Sequence, residues 1–108
     1  MSQVTDIFNG LLDDVKSLAG DTAKDFLKQT TVDSQQFTAQ AEANIQRWRT
    51  QLTNGDIDKE DFESLLRGQL AEATLAALLK AGIAQKKAGE ITDKVIDLAI
   101  SAAFKILL

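Results

Sequence analysis

The chain has 108 residues, a net charge of −4, and no proline, cysteine, histidine or tyrosine. These absences exclude thiolate and imidazole catalysis, nitrogen and sulfur metal ligands, and a disulfide framework. The charge is −2, −1 and −1 over residues 1–30, 31–57 and 58–108, so no region holds the surplus of Lys and Arg that nucleic acid requires.

Six glycines and many Ala, Leu, Lys, Gln and Glu, with no proline to break a helix, give a single all-α domain over residues 1–108. The opening MSQVTDIFNG lacks the basic start and long apolar run of a secretory leader. Together with the absence of cysteine, this gives a cytoplasmic expectation.

A first amphipathic helix is predicted over residues 3–29. Val4, Ile7, Phe8, Leu11, Val15, Leu18, Ala23, Phe26 and Leu27 recur at three- and four-residue steps, with charged residues between them. Gly10 and Gly20 each weaken it by roughly 1 kcal/mol relative to alanine, and Gly20-Asp21 is the expected place for a kink or break.

A second helix is predicted over residues 34–53. Asp33 with Gln36 has the capping-box spacing, and Val32 can pack on Phe37 as a hydrophobic staple. Its narrow stripe is Phe37, Ala41, Ile45, Trp48 and Leu52, and Asn54-Gly55 ends it. Arg47-Trp48-Arg49 could grip a phosphate or stack a base, but Trp48 continues the apolar stripe and reads as core or interface.

Residues 54–61, NGDIDKED, resemble a calcium loop only in part. The first two ligand positions would fall on Thr50 and Leu52, and the last on Asp61 in place of glutamate. They read instead as a turn followed by a capped helix: Ile57 precedes Asp58 at the cap, with Asp61 three residues on and Phe62 as the staple partner. The helices on either side should form an antiparallel hairpin.

The third helix is predicted to run from 59 to 108, bent near Gly82 or Gly89, because Glu90 is no cap and no proline follows Gly89. At 1.5 Å per residue it would be about 75 Å long. The alternative is a compact four-helix bundle with a break near Gly89. Residues 70–84 and 95–108 carry only Glu72, Lys80, Asp97 and Lys105 as charges. In the last stretch Glu90, Lys94, Asp97, Ser101 and Lys105 form one polar stripe beside an apolar remainder. The run 95–108 would be about 21 Å long, short of the ~30 Å of a bilayer core.

An elongated chain of this size could not cover so much apolar surface. The leading expectation is therefore a structural or assembly protein, a homo-oligomer held by Leu75, Leu78, Leu79, Ile83, Ile96, Ile100, Phe104 and Leu107. On that reading, aspartate at Ile100 and Phe104 dissolves the assembly and leaves the helices intact. A membrane-surface protein inserting residues 91–108, with its narrow polar stripe, is the alternative. A second alternative is a small adaptor whose compact bundle binds one helix of another protein in an open groove. Paired acids such as Asp13-Asp14 read as solvated helix faces, and no catalytic residue, metal or cofactor is expected.

Overall fold

The computed structural model describes residues 3–107. Met1, Ser2 and Leu108, on which the leader and final-helix expectations partly rest, lie outside the described residues. Five helices follow one another: α1 Gln3–Ala19, α2 Asp21–Thr30, α3 Gln35–Asn54, α4 Lys59–Lys80 and α5 Gln85–Leu107. The all-α expectation holds, with no strand among the described residues.

The first predicted helix is two helices, parted at Gly20. Its φ of 96° and ψ of 176° lie in a region that is essentially glycine's alone, so the weak point in the sequence is where the axis turns. The start of α3 is one residue later than the Asp33 cap predicts. The Asp33 N–H bonds to the Lys28 carbonyl at 2.9 Å and so closes the end of α2. Ser34 is left as the first free cap, its Oγ accepting from the Phe37 N–H at 3.2 Å.

The turn between α3 and α4 is as the sequence predicts. Gly55, at φ 82°, donates to Leu52 and Asp56 donates to Gln51, which together satisfy the last carbonyls of α3. Asp58 and Asp61 form the reciprocal capping box, each carboxylate accepting from the other's N–H at 2.8 and 3.1 Å.

The predicted helix over 59–108 is corrected. It stops at Lys80, turns through residues 81–84, and α5 returns along α4. Gly82, at φ 90°, donates to the Leu79 carbonyl at 3.0 Å, and the Ile83 N–H donates to Leu78 at 3.2 Å. This is a Schellman stop, which needs glycine for its left-handed residue. Gly89, the break expected in the compact alternative, lies inside α5. Lys86 and Lys87 therefore stand at the start of a helix rather than at the end of one. The physical reason for the reversal is burial, since folding back lays the apolar side of α5 against α1 and α4. The molecule measures 42 × 26 × 19 Å, far from a rod about 75 Å long.

Contacts between side chains fix the register. Phe62 and Phe104 meet with ring centroids 5.6 Å apart, and Arg67 pairs with Asp97, so α4 and α5 run antiparallel. Asn44 Nδ2 donates to Gln69 Oε1 at 3.1 Å across the α3–α4 hairpin. Phe8 meets Phe37 at 5.7 Å, joining α1 to α3, and Lys80 Nζ sits 4.8 Å above the Phe26 ring, joining α4 to α2. One continuous core results, with Phe8, Leu27, Ile45, Phe62, Leu66 and Ile96 at its fully buried centre.

Burial, and secondarily the Asp13 carboxylate beside it, hold half-buried Asp14 above the ordinary aspartate range. A raised carboxylate pKa favours the fold in acid, and this contribution is lost as pH rises through the raised value. Asp14→Asn should therefore be more stable than the parent at about pH 7, and the advantage should vanish at about pH 3, as urea midpoints would report.

Candidate functional site: the open side of helix α4

The four α5 residues expected at an interface are Ile96, Ile100, Phe104 and Leu107. Ile96, Ile100 and Leu107 are core residues of the single chain, and Phe104 is half-buried against Phe62. Leu78 is also fully buried. Their expected availability is corrected, because five short helices cover what one long helix would have left bare. The polar stripe Glu90, Lys94, Asp97, Ser101 and Lys105 does face outward.

Leu75 and Ile83 are half-buried, and Leu79 is 42% exposed. These three belong to the end of α4 and the turn after it; among the described residues the other exposed large apolar side chains, Leu18 on α1 and Leu98 on α5, stand apart on different helices. Helix α4 packs on α2, α3 and α5. Between Arg67 and Lys80 its only ionised side chain is Glu72, which is exposed, so apart from Glu72 its outer side there is as apolar as its inner side. A helical stretch with so little charge ordinarily lies in a protein interior. Here Gly68, Ala76 and Leu79 are exposed, and Leu65 and Leu75 are half-exposed.

Alongside this strip, α3 and α4 part to form a groove of about 540 Å³. Leu65, Gly68, Ala73 and Ala76 make its floor, Phe37 and Trp48 rise from α3, and Thr30, Gln69 and Glu72 supply the polar edge. Residues 65 to 76 recur at three- and four-residue steps and span about 16 Å, three turns of helix. The hairpin register creates the site: α3 buries Ala41 and Ile45 and leaves Phe37 and Trp48 half-buried on the near side of α4.

A Cβ placed on Gly68 would meet nothing within 4 Å, so nothing inside the fold requires glycine at that position. It lies in the middle of a helix at roughly 1 kcal/mol disadvantage to alanine and keeps the groove floor low. Glu72 is in no ion pair among the described residues. Arg47 is exposed on α3 beside Trp48, its Nη2 donating to Asn44 Oδ1 at 3.0 Å. Arg47, Trp48 and Arg49 are thus split between a groove wall and a solvated edge.

Asp58 and Asp61 use their carboxylates on each other's backbone, and no cluster of three metal-binding side chains exists among the described residues. A smaller hollow of about 260 Å³ lies by Leu18, Ile91 and the charged Lys87, Glu90 and Lys94. No helix among the described residues is long and apolar enough to cross a membrane.

In the sequence Phe37 and Trp48 share one stripe, and nothing local connects them with α4. The signal was present in part, as the near absence of charge between Arg67 and Lys80. Comparison with known protein families, curated proteins and solved structures finds no match for the chain.

Proposed function

We propose that this protein is a small interaction module that receives one amphipathic helix of another protein along the outer side of α4. The observation that carries this reading is the exposed apolar strip of α4 beside a groove walled by Trp48 and Phe37. A three-turn strip with small residues on its floor suits a helix, whose closest approach is set by the side chains at the contact. The floor continues past the groove to Leu75 and Leu79, which favours an elongated ligand over a compact one.

Charge narrows the partner. Glu72 lies unpaired in an otherwise uncharged groove, and the chain as a whole is acidic. A helix with leucine-like residues at i, i+3, i+4 and i+7 and a Lys or Arg beside them would complement both features. The net negative charge would also speed its encounter.

Trp48 is the only tryptophan and lies in the groove wall, so its emission reports occupancy. The experiment titrates the protein with a Leu/Lys amphipathic peptide of about 18 residues, and with its Leu/Glu counterpart. A saturable blue shift is expected with the lysine peptide alone. Gly68→Arg, whose Cβ would meet nothing within 4 Å on an exposed position, should abolish it by filling the floor. Glu72→Lys should transfer the preference to the glutamate peptide. An unchanged Trp48 emission, or an undiminished response in Gly68→Arg, would refute the proposal.

A further inference from the structure

We infer that the turn between α4 and α5 is a hinge, and that its opening lets two copies of this chain exchange α5 and form a dimer with a continuous helix over residues 59–107. The inference is independent of what docks on the outer side of α4.

The turn is held by the Schellman bonds of Gly82 and Ile83 and by Ile83 against the core, all of which depend on the left-handed backbone of Gly82. Of residues 81–84, only Gly82 has a left-handed backbone, and the other three are Ala, Ile and Ala. The start of α5 lacks the devices that secure α4. Ala84 occupies the cap position, its carbonyl accepting from the Ala88 N–H at 2.8 Å, and alanine has no side-chain acceptor for the free N–H groups that follow. The first turn of α5 contains no acid and carries Lys86 and Lys87 at the positive end of the helix dipole. The first turn of α4, by contrast, has the Asp58–Asp61 box and Glu60.

A straight α4–α5 helix removes all of these defects. Each N–H of residues 85–87 gains a carbonyl four residues back, and both lysines move to a helix interior. What opposes it is burial, because Ile91, Val95, Ile96, Ile100 and Leu107 leave their own core. One open chain cannot persist with that surface bare, but a second open copy presents the same vacated site and the same α5. Exchange remakes every contact of α5 in the partner, so the two states differ mainly at the hinge. The preference for a long helix that the local sequence expresses is then realised in the exchanged dimer, whose arm spans about 73 Å.

Light scattering after gel filtration tests this on three chains. Alanine at Gly82 would meet no atom within 4 Å, so Gly82→Ala acts only through its left-handed backbone. It disfavours the closed turn roughly tenfold per chain and should raise the dimerisation constant ~100-fold. Gln85→Pro should stay monomeric and should reverse the effect of Gly82→Ala, since proline suits a first helical position and interrupts a continuous helix.

An exchanged dimer is distinguished from any other by cross-linking. Arg67 and Asp97 pair across α4 and α5, and the chain has no native cysteine. With Arg67→Cys and Asp97→Cys, a short bismaleimide should join residues within one chain of the monomer and between chains of the dimer. As a check independent of the Gly82 variant, the otherwise unaltered chain carrying these two cysteines should give the interchain link after heating and cooling at high concentration. The same chain with Gln85→Pro should not. A monomeric Gly82→Ala, or dimers whose cross-links stay within each chain, would overturn the inference.

Discussion

Aspartate in place of Ile100 is expected to unfold the chain. Ile100 is only 6% exposed, on the side of α5 that packs against α1 and α4. An ionised carboxylate there has no partner and loses its hydration, and the measured penalty for such a group is several kcal/mol. Domains of this size are stable by about 5–15 kcal/mol in total, so one substitution removes most of the margin. Far-UV circular dichroism should show the helical signal lost, and urea should give no cooperative transition near the parent's. A well-folded Ile100→Asp monomer would mean that α5 lies outside the core. That is the outcome the elongated reading predicts, in which the same change separates copies and leaves helices intact.

The second large effect is expected at Phe62. This ring is fully buried in the first turn of α4 and meets Phe104 near the end of α5. It also occupies the staple position across the cap from Ile57, which packs on the core. Phe62→Ala removes the ring from three relationships at once: the entry to α4, the α4–α5 register and the core. A cost of about 3–5 kcal/mol is expected, seen as a lower urea midpoint at unchanged slope. Phe62→Leu should retain much of the volume and lose clearly less. A loss below about 1 kcal/mol for Phe62→Ala would show that the cluster is not where α4 and α5 are held together.

Much of the architecture is written in local chemistry. The Asp58–Asp61 box, the stop at Gly55 and the weak point at Gly20 each depend on a few neighbouring residues, and each appears in the structure where those residues stand. The polar stripe of α5 is equally local. The end of α4 is less local, because two stretches of the sequence can each end a helix. Lys86-Lys87-Ala88-Gly89 has bases ahead of a glycine, whereas Lys80, Gly82 and Ile83 offer one base, the glycine and an apolar residue after it. The second set makes the Schellman stop. What decides between them is the fit of α5 against α1, a contact between residues some eighty positions apart.

The groove was illegible for the same reason. Trp48 and Gly68 lie on opposite arms of a hairpin, and only its register, fixed by Asn44 and Gln69, places them at one opening. The apolar excess seen in the sequence is real. Most of it closes the core through Ile96, Ile100 and Leu107, and beyond the isolated Leu18 and Leu98 the remainder is the outer side of α4.

That remainder is tested most directly by backbone amide shifts of the isotope-labelled chain, followed by NMR as the Leu/Lys peptide is added. The perturbed amides should cluster on α3 around Phe37 and Trp48 and on α4 from Leu65 to Leu79, while α1 and α5 stay still. Perturbations centred instead on Asp6, Asp13 and Asp21, or spread evenly over the acidic surface, would contradict it.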